Sequence, residues 1–229
     1  MFGRSDTDGN PENTSQSKLI RSLRERNLAS EDVLRAMSQV QRELFVDAHI
    51  RQLAYDDNAL PIGCGQTISQ PTVVAMMTTA LGIEPDNAVL EIGTGSGYQA
   101  AVISKLARHC HSVELHSDLA EGARQALKRA GISNVEVHVG DGSLGLPELA
   151  PFDRILVTAA SPAVSDILLG QLRPVPGSKL VAPVGDQKLQ SVVVVEWSPA
   201  GWIQRDVGSV RFVPLRGAAG WSNTDWKDS

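Results

Sequence analysis

Residues 89–101 read Val-Leu-Glu-Ile-Gly-Thr-Gly-Ser-Gly-Tyr-Gln-Ala-Ala, and this stretch constrains the fold more than any other. Val89 to Ile92 is a short apolar run of the kind that forms a strand buried on both faces. Gly93, Gly95 and Gly97 alternate through a turn, and a helical pattern follows from Tyr98 to Ala107. Strand, glycine turn and helix start together make a cradle for a nucleotide-type ligand, because glycine reaches positive φ and keeps a Cβ out of the ligand's way. Glycine turns also occur as plain strand–helix connections, so the rest of the chain has to agree.

Downstream the chain alternates. His109 to Leu115 reads as a strand ending near Glu114, and Asp118 to Ala130 as a helix with Asp118 and Glu121 placed like a capping box and Gly131 closing it. Val135 to Val139 is a strand followed by Gly140-Asp141-Gly142, and Arg154 to Val157 a strand followed by Thr158-Ala159-Ala160. Ala163 to Leu172 reads as a helix and Lys179 to Val184 as a strand. Gln190 to Trp197 and Trp202 to Val213 read as an antiparallel pair around Ser198-Pro199-Ala200-Gly201. This order predicts an α/β fold: a doubly wound, mostly parallel sheet with helices on both faces and antiparallel strands at the C-terminal edge. Ligands of such sheets sit at the carboxyl ends of the strands. Gly93 to Gly97, Glu114, Asp141 and Thr158 all fall there.

Upstream, Lys18 to Arg26 and Ser30 to Gln39 read as helices, Leu60 to Pro71 as a proline-bounded loop and Pro71 to Leu81 as a helix. One domain over 18–217 is expected, with helices and a loop in 18–88 and the sheet in 89–217. The polar segment 1–17 reads as a disordered tail and 218–229 as a second tail. The net charge of −5 lacks the basic excess of a nucleic-acid binder. The two cysteines, Cys64 and Cys110, lack metal-type spacing and read as free thiols. No apolar run spans a membrane and no secretory leader is evident, so a cytoplasmic monomer without a metal is expected.

Two cofactor classes use the glycine device. A dinucleotide fingerprint is met only loosely, by Gly95, Gly97 and Ala100, and a carboxylate at Glu91 would repel a pyrophosphate. Glu91 suits a ligand with a cationic amine, such as the methionine part of S-adenosylmethionine. Glu114, about 20 residues beyond the turn, stands where an acid takes the ribose hydroxyls. Asp141 can accept from an adenine amine, with Gly142 giving the ring close approach. Asp141 between glycines is also a natural Asx turn. The pattern E-x-G-x-G-x-G over Glu91 to Gly97 is similar to the first motif of class I methyltransferases. That likeness implies cofactor contacts from Glu91, Gly93, Thr94, Gly95, Ser96, Gly97, Glu114, Leu115, Asp141, Gly142 and Thr158.

The loop Leu60-Pro61-Ile62-Gly63-Cys64-Gly65-Gln66-Thr67-Ile68-Ser69-Gln70-Pro71 is more specific. Together with Val89–Ala101, Gly140–Gly142, Val157–Ala160 and Val210-Arg211-Phe212-Val213-Pro214-Leu215, it resembles the protein-L-isoaspartate O-methyltransferases over about residues 30–217. The resemblance implies methyl esterification of the α-carboxylate of isoaspartyl residues in damaged proteins, with S-adenosylmethionine as donor. It implies Ser69 as the active-site residue, and Gln66, Thr67, Ile68, Val213, Pro214 and Leu215 around the peptide. Ser69 can also be read as a helix cap before Pro71. A carboxylate is already a nucleophile at pH 7, so the reaction needs positioning rather than a general base. The chain departs from the family pattern at Cys64 and Arg216, which leaves substrate preference open. Methylation of another carboxyl acceptor, or binding without turnover, are the remaining readings.

Overall fold

The computed structural model describes residues 14–221; the remainder of both expected tails lies outside the described residues. Helix α1 (Ser15–Glu25) starts three residues before the sequence pattern suggests, because the Thr14 side chain accepts from the Ser17 amide and caps it. Residues 15–17 are therefore helical, not tail. Helix α2 (Glu31–Ser38) follows, with Glu31 and Asp32 in its first turn, where the helix dipole favours acids. The expected loop after Leu60 is a small antiparallel hairpin of β1 (Leu60–Gly63) and β2 (Gln66–Ile68). Its turn places Gly63, Cys64 and Gly65 all at positive φ. Helix α3 (Pro71–Leu81) opens on proline, and Asp57 caps it from a distance: its carboxylate accepts from the Thr72 amide at 2.9 Å and the Thr72 hydroxyl at 2.6 Å.

The main sheet contains β3 (Ala88–Ile92), β4 (His109–Glu114), β5 (Val135–Val139), β6 (Arg154–Val157), β7 (Lys179–Gly185), β8 (Gln190–Ser198) and β9 (Gly201–Val210). Their spatial order is β5-β4-β3-β6-β7-β8-β9, parallel through β7 and antiparallel at β8 and β9. The chain winds outward from β3 in both directions, so a crevice opens between the ends of β3 and β6. Helix α4 (Tyr98–Ser104) follows β3, and α5 (Ser117–Arg129) follows β4. Both share a face of the sheet with α3: Met77, Leu81, Ala100 and Ile103 pack on Val89, Leu156 and Val181, and Ala126 and Leu127 of α5 join Val137.

The other face is more thinly covered. Helix α6 (Asp166–Leu169) is a single turn, where the sequence suggests Ala163 to Leu172. Gly170 ends it, and Gln171 leaves the helix to bond the Leu146 amide and the Leu144 carbonyl. The β5–β6 crossover, 140–153, holds only two short 3₁₀ turns, which its glycines and prolines favour. The capping-box reading of Asp118 and Glu121 fails, because the helix starts at Ser117 with His116 as its cap residue and no side-chain cap bond. The closing glycine holds. Gly131, at φ 68, donates to the Lys128 carbonyl, and Ile132 donates to that of Leu127. Replacing Gly131 with alanine forces a Cβ into that left-handed position, so the expected outcome is a loss of about 1–2 kcal/mol in denaturant unfolding with catalysis intact in the folded protein.

Candidate active site

The glycine turn sits at the crevice with Gly93, Gly95 and Gly97 at φ values of 96, 53 and 86°. A Cβ on Gly93 would lie 2.5 Å from the Thr158 hydroxyl, and one on Gly142 would lie 2.7 Å from Ile92 Cγ2. These absent side chains leave a pocket lined by Ile92, Gly93, Gly95, Val113, Glu114, Leu115, His116, Gly142, Thr158 and Ala159. Gln66, Thr67 and the segment Val213 to Arg216 close it on the other side. Four strand ends thus meet in one concave site, as the chain order requires. Ile92, Val113, His116 and Ala159 were not singled out from the sequence; each lies beside a residue that was.

Glu114 is placed as the sequence suggests. Its Oε2 accepts from the Gly95 amide at 2.8 Å, and Oε1 accepts from the His116 amide at 3.0 Å. The carboxylate is fixed against the turn, and each oxygen keeps a second acceptor position for a hydroxyl of a bound ribose. Thr158 donates its hydroxyl to the carbonyls of Ile92 and Gly93 at 2.9 and 2.6 Å, tying β6 to the turn.

Glu91 is placed differently. It is fully buried and does not line the pocket. Its side chain shares a sheet face with Ser112, whose hydroxyl donates to Oε2, and Ser112 in turn meets the Thr94 hydroxyl at 2.6 Å. Its other oxygen, Oε1, has no hydrogen-bond partner among the described residues. Burial, reinforced by the nearby Glu114 charge and only partly offset by Ser112, pushes its carboxyl up to about 8. Glu91 is therefore mostly protonated at neutral pH, a brace beneath the turn rather than an anion facing a ligand amine. Thr94 belongs to the same buried chain. Ser96 lines a neighbouring surface cleft, and Gly97 caps α4.

Asp141 is also engaged elsewhere. Its Oδ1 accepts from the Ser143 amide and hydroxyl at 3.0 and 2.6 Å, the Asx turn, while Oδ2 accepts from the Ala218 amide at 2.7 Å. Burial works to raise its carboxyl, and these bonds outweigh burial and hold it below the usual range. Residues 217–219 are strapped across Asp141 and Ser143, so 218 and 219, which the sequence suggests as tail, are held against the fold. A Cβ on Gly217 would lie 2.0 Å from Asp141 Oδ1, so the strap requires glycine there.

A second pocket adjoins the first. Ala59, Thr67, Ser69, Gln70, Val73, Thr158 and the run Val210 to Val213 line it. Thr67, Thr158 and Val213 belong to both linings, so the two cavities share a wall. Ser69 faces this second pocket, and its hydroxyl has no hydrogen-bond partner among the described residues. It does not cap α3, whose cap residue is Gln70. Ile68 points away, into the core at 3% exposure, because alternation along β2 sends Thr67 out and Ile68 in. Past β9 the chain returns over the site. Ala160 donates to Val213 and accepts from Leu215, so 213–215 forms a roof anchored on the β6 loop.

The sequence reading missed Arg42. Its guanidinium is fully buried, with Nε donating to Ala54 O and Nη2 to Ser69 O, each at 2.7 Å. The guanidinium carbon lies 4.7 Å from the Tyr98 ring centroid.

The strand order and the glycine-lined crevice define a protein of the class I methyltransferase fold. The sequence profile of the Protein-L-isoaspartate(D-aspartate) O-methyltransferase (PCMT) family matches residues 14–220. The chain belongs to that family. Among curated relatives, Protein-L-isoaspartate O-methyltransferase 2 of Pelobacter propionicus is 50% identical over 214 residues, covering 93% of this chain and 94% of its own. The Protein-L-isoaspartate O-methyltransferase of Pelotomaculum thermopropionicum is 43% identical over 220 residues, covering 96% and 95%. A solved protein-L-isoaspartate O-methyltransferase superposes with a TM-score of 0.78 at 28% identity, covering 89% of this chain and 66% of that one. A Plasmodium falciparum structure, described as a complex of such an enzyme with S-adenosyl-L-homocysteine, shares the fold at a TM-score of 0.76 and 24% identity, covering 90% and 99%.

Two outcomes test this geometry. Gly93→Ala should abolish cofactor binding in calorimetric titration, while Gly122→Ala, whose Cβ would meet nothing within 4 Å, should leave it intact. Glu91 titrates near 4.5 when unfolded and about 8 when folded, so the fold holds an extra proton between those values and its stability falls as pH rises through them. The melting temperature of Glu91→Gln relative to the parent should therefore improve from pH 5 to pH 8.5. A constant difference would contradict the burial argument.

Proposed function

We propose that this chain transfers the methyl group of S-adenosylmethionine to the α-carboxylate of L-isoaspartyl residues in damaged proteins and peptides. The ester then cyclises to a succinimide without the enzyme, and hydrolysis returns part of the material to normal aspartyl linkage. The observation that carries this reading is the shared wall of Thr67, Thr158 and Val213 between the glycine-lined pocket and the adjoining pocket that Ser69 lines.

The pocket's chemistry fits the donor. Glu114 offers fixed acceptors for ribose hydroxyls, Gly142 gives a ring room to approach, and Ile92, Val113 and Leu115 supply apolar surface. When bound, the donor supplies a methyl group made electrophilic by its sulfonium. The chain's own residues do the positioning. Hairpin and roof bracket the acceptor groove, and their apolar members exclude water. The unpaired Ser69 hydroxyl donates to the acceptor carboxylate and orients one oxygen. A neutral donor suits this task, because a cation on the attacking oxygen would dull it. Arg211 lies on the groove lining and is exposed, so it attracts an anionic peptide through solvent. An isoaspartyl linkage leaves a free α-carboxylate beside a peptide bond, and a normal aspartyl residue does not.

Methyl incorporation from labelled donor into two peptides differing only in isoaspartyl or aspartyl linkage tests the proposal. Base-labile label in the isoaspartyl peptide alone is expected; equal label, or none while the cofactor binds, would overturn it. Ser69→Ala removes one hydrogen bond to a charged group, of about 1.5–3 kcal/mol. It should lower kcat/KM about 10- to 150-fold with the cofactor Kd unchanged.

A further inference from the structure

Three of the chain's five histidines stand together on the sheet, and none of the three lines the pocket. His109 and His111 alternate along β4 and point to one face. Glu136 lies directly across from His111 on β5, and His138 is two residues further along the same face. This is the thinly covered face of the sheet, where the β5–β6 crossover forms no long helix. His111 and His138 are partly exposed and Glu136 is exposed, so an ion has access.

The spacing is that of a ligand set. His111 Nδ1 lies 3.2 Å from His138 Nε2 and 3.5 Å from Glu136 Oε2, and His138 Nε2 lies 4.0 Å from Glu136 Oε1. Ligand atoms held ~2.0–2.1 Å from a tetrahedral zinc ion are ~3.3 Å from one another. Ligand atoms of His109, His111 and Glu136 all lie within 4.8 Å of one another, and the His138 ring is hydrogen-bonded to His111 beside that set. The His109 and His111 ring centroids are 4.4 Å apart. Burial first, then the neighbouring His109 and His138, lowers the His111 pKa, which keeps the ring in the neutral form a metal requires.

We propose that His109, His111 and Glu136, with His138 beside them, form a three-residue binding site for a divalent transition-metal ion of the zinc, cobalt or nickel type. It would serve as a clip between β4 and the edge strand β5. It is separate from methyl transfer, since neither these three residues nor His138 lines either pocket of the active site.

The test uses the full chain free of any affinity tag and stripped of metal. Calorimetric titration with zinc chloride should give one equivalent bound with micromolar or tighter affinity and a higher melting temperature. Cobalt(II) should give the intense visible bands of a tetrahedral site. His111→Ala and Glu136→Gln should each weaken zinc binding by about tenfold or more, the cost that even outer-sphere partners of a metal exact. His49→Ala and Cys64→Ser, which replace a remote histidine and the exposed thiol, should leave it unchanged. Methyl transfer should be equal with and without metal. Absence of saturable one-site binding, equal affinity in the His111 and Glu136 variants, or loss of binding in Cys64→Ser would each overturn the site.

Discussion

Arg42 puts a positive charge inside the N-terminal core, and the segments that carry the reaction are arranged around satisfying it. A guanidinium without partners there would cost several kcal/mol. The Ala54 and Ser69 carbonyls and the Tyr98 ring meet most of that demand, while Nη1 has no hydrogen-bond partner among the described residues. Ser69 lines the second pocket, and Tyr98 is the first residue after the glycine turn. One side chain thus touches both segments. Its planar fork holds two carbonyls and stacks on a ring at once, which a lysine ammonium does not do.

The donor side is built on the same principle, with buried polar groups fixing what glycine leaves loose. The turn can adopt its positive φ values only without side chains, and a turn that free needs restraint. Glu114 bonds it from one side and Thr158 from the other. Beneath it, the Glu91–Ser112–Thr94 chain fills the gap between β3, β4 and the turn. Charge is placed selectively. The pocket's carboxylate at Glu114 is held by two amides, whereas the deeper one at Glu91 is kept mostly neutral by burial. Asp141 forms the third restraint by holding the strap of residues 217–219. The strap and the roof are consecutive, so whatever loosens Asp141 also reaches Leu215 and the pocket wall.

Much of this was legible in the sequence because the periodicities are strong. Alternating βαβ units gave the sheet, and the glycine turn marked its switch point. Glu114 lines the pocket at the distance from the turn that the sequence suggests, and Ser69 lines the adjoining one. The misreadings share a cause: residue type marks a position without telling which way the side chain turns or what reaches it. Glu91 lies on a strand flanked by β4 and β6, and strand parity sends it into the core, as it does Ile68 on β2. Asp141 is met by an amide 77 positions later, which no local pattern reveals. Arg42 carries no motif, and its importance lies entirely in its burial. The early start of α1 and the short α6 turn on single capping contacts, beyond the reach of hydrophobic periodicity.

The central claim is that donor and acceptor meet across the wall of Thr67, Thr158 and Val213. A crystal structure with S-adenosyl-L-homocysteine and an isoaspartyl peptide bound together tests it most directly. The cofactor sulfur should lie in the pocket beside Glu114, the peptide beside Ser69, and the α-carboxylate should face the sulfur past that wall. A peptide seated elsewhere, or one presenting a different group to the sulfur, would contradict it.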